Sequence, residues 1–194
     1  MEKIEHLSDS IVAQNIEKNI TADKIEGKED EMNLLDVNID SLTILNLPYQ
    51  INESFLSYYT VKRKLDYKLL NENDSIVTYA VGKFIVSNNP DLIGVLSLIK
   101  DKTKSMSYVF DLITFFKGQK KSSYKIGELS FLEEEEEEEE EEVFHKRTSI
   151  INDSFSNIKI ISYNEVVSFE TDDYEITEKE ELELEINNQN GTIK

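Results

Sequence analysis

The sequence predicts a mainly β, or α+β, fold: a small barrel-like antiparallel β domain with one or two helices, flanked by acidic disordered tails. Three observations carry this expectation. Between Ser41 and Phe116, short runs rich in β-branched and aromatic residues alternate with polar breaks, the composition that suits a half-buried pleat. Only "NESFLSYYTVKRKLD" has clear helical spacing, with Phe55, Tyr58, Tyr59 and Leu65 at spacings of three, four and about seven residues. The flanks are dominated by charge, including the unbroken glutamates Glu133 to Glu142, which repel one another and oppose compaction.

Taken in order, residues 1–36 alternate charged and apolar positions without a sustained period, and read as an acidic flexible arm. "SLTILNLP" is a short β-rich run stopped by Pro48, which has no N–H to give a sheet ladder. The helix that follows takes Asn52 or Ser54 as its N-cap, and Lys62, Arg63 and Lys64 stand in its last turns, where cations complement the helix dipole. "DYKLL", "DSIVTYAV" and "KFIVS" read as two or three antiparallel strands separated by "NEND" and Gly82. "DLIGVLSLI" is too short and too uniformly apolar for periodicity to separate strand from helix. After the polar "DKTKSMSYV", "FDLITFF" closes the packed region at Lys117-Gly118.

"GQKKSSYKIGELSFL" then reads as a polar linker into the glutamate run. Beyond it, "NIKIISYNEVVSFETDDYEI" and "ELELEI" alternate like strands but have little core material, and are expected to order against a partner. The resulting boundaries are an arm at 1–36, a docking domain at 37–130, a poly-Glu linker at 131–149 and an acidic, partly ordered tail at 150–194.

Composition narrows the function. With 40 acidic residues against 21 basic ones the net charge is −19, opposite to what phosphate-backbone binding uses. Direct sequence-specific nucleic-acid binding is therefore not expected, although Lys117, Lys120 and Lys121 leave a DNA contact of the linker open. The field instead favours basic protein surfaces, with Glu133–Glu142 as the candidate contact. There is no cysteine, so neither disulfides nor thiolate chemistry arises. The N-terminus has no apolar leader and no run approaches a membrane span; the chain reads as soluble.

Nothing in the sequence builds an active site. His6 and His145, the two histidines, fall in segments expected to be exposed; the six glycines form no phosphate-binding pattern; zinc spacings and nucleophile elbows are absent. No catalytic residue, metal or cofactor is expected.

Three passages read together give a resemblance. "TILNLP" places Ile44, Leu45, Leu47 and Pro48 in a run of the type I-L-R-L-P, with Asn46 in place of arginine. "DLIGVLSLIK" places Asp91, Leu92, Val95, Leu96 and Lys100 in a run of the type D-L-P-x-I-x-E-x-x-K-T, with Gly82 upstream. Ile93 replaces the proline, Ser97 the glutamate, and Asp101 the threonine. Tyr108, Asp111, Leu112, Phe115 and Phe116 echo Y-K-x-x-D-I-x-Q-M-L with one residue deleted and Thr114 for glutamine. In order and spacing, Ser41 to Phe116 resembles the N-terminal domain of the TFIID-subunit-seven family, the TBP-associated factor that pairs with the largest TBP-associated factor. Of the family's later H-G-[IL]-T element only His145 and Thr148 remain.

The resemblance implies a nuclear, non-enzymatic TFIID subunit that forms a shared barrel-like heterodimer with the largest TBP-associated factor during RNA polymerase II preinitiation complex assembly. It further implies restraint of that partner's acetyltransferase activity in lineages where that activity exists. The partner-binding residues it marks are Ile44, Leu47, Pro48, Asp91, Leu92, Val95, Leu96, Lys100, Tyr108, Asp111, Leu112, Phe115 and Phe116. Within it, Asp91 is expected to cap or accept backbone hydrogen bonds and Lys100 to pair with an acidic group. A partner strand is expected to complete the interior, because a short β segment buries little surface alone and exposes edges. Two other readings stand beside it: an acidic histone-chaperone-like protein acting through the poly-Glu run, and a diverged RNA-recognition-motif protein, for which "LTILNLPYQINESFL" and "YAVGKFIVS" supply part of the lettering.

Overall fold

The chain is mainly antiparallel β, as expected, with one short α-helix among the described residues. The computed structural model describes residues 39–61, 67–132, 141–168 and 174–194; the arm, Lys62 to Leu65 and Glu133 to Glu140 lie outside them. A 3₁₀ turn, Ile39–Ser41, precedes β1 (Tyr49–Ile51) and α1 (Glu53–Val61). Then come β2 (Lys68–Glu72), β3 (Ile76–Ile85), β4 (Leu92–Asp101), β5 (Ser107–Phe116), β6 (Gln119–Leu132), β7 (Glu141–Ile151), β8 (Asn157–Ser168) and β9 (Tyr174–Glu185). Strands β2 to β9 form one meander in sequence order, with β1 paired to β7. The sheet is open, because its outer strands β2 and β9 are not each other's neighbours.

Local chemistry accounts for most of the elements. Asn52 caps α1, its Oδ1 accepting the Phe55 N–H at 2.8 Å. Two hairpin turns use the same side-chain device: Asn73 Oδ1 accepts the Ser75 and Ile76 N–H groups before β3, and Asp101 Oδ1 accepts from Thr103 N–H and Oγ1 after β4. Lys117 and Gly118 have φ of 51° and 75°, the paired positive values of a tight hairpin turn whose twist matches its flanking strands. That turn does not close the packed region. It leads directly into β6, so the stretch read as a linker is a 14-residue strand.

Gly82 likewise does not separate two strands. It lies within β3, where the register shifts between Ala80 and Gly82, and a Cβ there would stand 2.8 Å from Thr43 O and 2.7 Å from Leu45 Cγ. Its absence lets residues 43–45 approach. Leu45 N–H donates to Lys83 O and Lys83 N–H to Thr43 O, both at 2.8 Å. "TILNLP" is thus tied to β3 by one bridge, Ile44 to Lys83, rather than forming a full strand, and its Leu47–Pro48 peptide is cis. "DLIGVLSLI", which periodicity left open, is strand β4.

The core crosses the boundary drawn at residue 130. Residues Leu34–Lys194 form one compact unit, and the main apolar cluster joins Phe84, Leu92, Leu96, Phe110 and Leu112 with Ile151, Phe155, Ile158, Ile160, Leu184 and Ile186. A second, smaller cluster contains Leu42, Ala80, Val95, Ile113 and Phe115. The joint is Phe155, in the turn between β7 and β8. It is wholly buried, sits 5.5 Å from Phe84 between ring centroids, and holds φ at 54°, a conformation that bulky residues adopt only where the surroundings enforce it. Its ring occupies the space above Gly94, where a Cβ would lie 2.3 Å from Phe155 Cζ.

Phe155→Ala is expected to lower stability by about 3–5 kcal/mol, and Gly94→Ala to destabilise by driving a methyl into the ring; urea unfolding of both variants checks this.

Candidate docking surface

The thirteen positions marked in the sequence separate by burial. Leu92, Val95, Leu96, Leu112 and Phe115 are buried, Ile44, Pro48 and Asp91 are exposed, and Leu47, Lys100, Tyr108, Asp111 and Phe116 are half-buried. β4 and β5 pair along their whole length, from Leu92 with Phe116 to Lys100 with Tyr108, so alternate residues fall on opposite faces. Leu92, Leu96 and Leu112 therefore enter the main cluster, while Val95 and Phe115 enter the smaller one. These side chains pack against β7–β9 and residues 39–42 of their own chain. The interior that a partner strand was expected to complete is filled from within.

Asp91 N–H donates to Asn89 Oδ1, and Asp91 O accepts from Lys117 N–H at 2.9 Å. Its carbonyl oxygen thus ties the β4 entry to the β5–β6 turn. Lys100 Nζ lies 5.6 Å from the ring centroid of Tyr108, its cross-strand neighbour.

Sequence reasoning missed a polar ladder across β6–β9. Lys125 pairs with Glu128 at 2.9 Å, Glu128 lies 3.6 Å from His145 Nε2, and His145 Nδ1 meets Asn164 Oδ1 at 2.9 Å. Asn164 donates in turn to Glu178 of β9. Arg147 donates to Ser162 Oγ at 2.9 Å. His145 is thus half-buried in a cross-strand network rather than free on the surface. Beside it Asp111 is held above the usual carboxylate range, by desolvation first, against the attraction of Lys125, Lys120 and Arg147. The signal was available in the alternation of β7, but not the identity of its neighbours.

A second polar group anchors α1. Tyr163 donates its hydroxyl to Glu53, and Lys146 pairs with Glu165. Burial, then the bond to Glu53, pushes the Tyr163 hydroxyl well up, and desolvation lowers Lys146. Nearby, a cavity of about 410 Å³ opens between β1, the start of α1, β7 and β8, lined by Ile51, Ile150, Ile161, Glu53 and Lys159. Among the described residues no group of three or more His, Asp or Glu side chains could hold a metal ion, and no helix is long and apolar enough to cross a membrane.

The surface with the most to offer a second protein is β9. It pairs with β8 alone in the meander, and of its twelve residues only Thr177 and Leu184 are not exposed. Six are glutamates. Tyr174, Ile176 and Leu182, at 69%, 50% and 45% exposure, lie open along it. A cavity of about 370 Å³ adjoins it, lined by Arg147, Ile160, Ser162, Glu180, Glu181 and Leu182.

No family model, no curated protein and no solved structure matches the chain. The geometry stands on its own.

Two outcomes follow for the polar groups. Because the fold raises the Asp111 pKa, its contribution to stability is present below the ordinary aspartate range and is lost as pH rises through the raised value. Asp111→Asn is therefore expected to be more stable than the parent at neutral pH, with the difference vanishing on acidification; thermal melts across pH check the sign. Tyr163→Phe is expected to cost about 1.5–3 kcal/mol, the range for losing a hydrogen bond to a charged group, read by urea unfolding.

Proposed function

We propose that the protein is a non-enzymatic, nuclear TFIID subunit that docks onto the largest TBP-associated factor during assembly for RNA polymerase II initiation. The observation that carries this reading is spatial. The three passages behind the resemblance are neighbours in the fold: Thr43 and Leu45 bond to β3 beside Gly82, and β3, β4 and β5 pair in succession. Spacing that survives eroded lettering has a physical reason here, since a shifted register would turn alternate side chains out of the core.

The mode of docking differs from the one that the sequence led us to expect. With the interior filled by β7–β9, the partner adds to the surface and edges of the sheet, where backbone hydrogen bonds give affinity and side-chain pockets give selectivity. Ile44 at 57% exposure, with Pro48 and Asp91, offers the exposed part of the marked set.

A second reading, an acidic histone-chaperone-like protein, draws on the exposed glutamates of β9 together with Glu141 and Glu142 at the start of β7. The RNA-recognition reading gains nothing from the topology: among the described residues no helix interrupts the meander from β2 to β9, whereas that module packs helices on a four-stranded sheet.

Co-expression of the full chain with the largest TBP-associated factor is expected to yield a complex through gel filtration. A folded chain that elutes alone, while retaining purified histones in a salt-sensitive way, would replace the first reading by the second.

A further inference from the structure

The β9 edge lies outside the stretch that carries the resemblance, and its chemistry is specific. From Tyr174 to Leu184 it faces β8 on one side, and among the described residues no strand lies beyond it in the sheet order and only its last residue turns to another segment, through the two Glu185–Lys194 backbone bonds at 3.0 Å. An exposed strand edge is a template for pairing, and natural sheets guard such edges with charge and bulges. Both devices are present. The register shifts between Ser162 and Asn164, and Glu178 holds φ at 50°. The guarding charge has one sign, in Glu175, Glu178, Glu180, Glu181, Glu183 and Glu185, opposed only by Lys179.

That sign decides the occupant. A second copy of β9 would set glutamates against glutamates, and like charges across a strand pair are unfavourable. A strand with lysine or arginine at alternate positions turns the same row into cross-strand ion pairs. Three of the large exposed apolar side chains, Tyr174, Ile176 and Leu182, lie on this strand, which asks for aliphatic residues between the basic ones. The cavity of about 370 Å³ beside Leu182 is where one side chain of the occupant would seat.

We propose that the β9 edge is a docking site for an extended, basic segment of another protein, which adds to the sheet as a strand antiparallel or parallel to β9, with lysine or arginine alternating with aliphatic residues. The glutamates exclude self-association while admitting this partner. The site does not depend on which complex the protein enters.

The test uses the full chain and a fluorescent peptide alternating lysine and valine over about ten residues, a long strand's worth, followed by anisotropy. Binding is expected that weakens as salt is raised through the range where the Debye length shortens. The same peptide N-methylated at alternate residues keeps its charge but loses edge donors, and is expected to bind at least tenfold more weakly. A glutamate–valine peptide is not expected to bind. Replacing exposed Glu175, Glu180 and Glu181 together by lysine is expected to reverse the preference, with circular dichroism reporting that the sheet is retained; removing Glu133–Glu140 is expected to leave binding within twofold.

Equal binding of the N-methylated and parent peptides would overturn the proposal, as would loss of binding on removing Glu133–Glu140, since either reduces the effect to bulk polyanion attraction. So would unchanged preference in the triple-lysine variant. A complex with the largest TBP-associated factor that forms while the peptide fails to bind would leave the TFIID reading intact and remove this one.

Discussion

The contact on which the rest of the fold depends is the ring of Phe155 lying on Gly94. It joins the turn between β7 and β8 to the start of β4, about sixty residues earlier in the chain. Through it the main cluster becomes continuous from Phe84 to Ile186. The tail that follows β9 is pinned to the same region, with Asn89 Nδ2 donating to Asn188 O and Thr114 Oγ1 to Gly191 O, both at 2.5 Å. Gly94 and Gly191 serve here by what they lack: a Cβ at either would meet Phe155 or Leu92. A β segment that seemed too small to fold by itself is completed by the chain's own C-terminal strands.

Charge then has a place in the architecture. The inner strands carry cross-strand pairs and amide bridges that partner their charged groups, as in the ladder from Lys125 to Glu178, because buried or half-buried charge is costly unless partnered. The excess of carboxylate collects on β9, six of whose twelve residues are glutamates, of which Glu178, Glu181 and Glu183 meet Asn164, Lys179 and Asn157. One sheet thus has an apolar middle and one acidic edge, at β9, and a partner attracted to that edge need not disturb the middle.

What could be read from the sequence follows the same division. In β4 both faces are buried, Leu92 and Leu96 in the main cluster and Val95 in the smaller one, so the run is apolar throughout and its period could not tell strand from helix. The Asn52 cap was visible because capping is local chemistry. β6 escaped notice because Gln119 to Lys125 is lysine- and serine-rich, and its apolar contribution is confined to positions such as Ile126 and Leu129. Gly82 looked like a break, whereas it marks a close approach by Leu45 that no local pattern announces. β9 shows the limit most clearly: its strand-like alternation was legible, but with Leu184 as its one buried residue it gave no sign that it orders on β8 of its own chain rather than on a partner. Which side chains meet across strands, as with Asp111 and Lys125, depends on pairings that a single sequence does not state.

The central claim is that β3–β5 and β7–β9 share one interior without help from a second protein. Native-state hydrogen exchange of the isolated full chain tests it most directly, because amides that open together report one cooperative unit. The account expects the amides of Leu96, Leu112 and Ile160 to be protected alike and to lose protection together as denaturant is added. Protection confined to β7–β9, or appearing in β4 and β5 only after a partner is added, would contradict it.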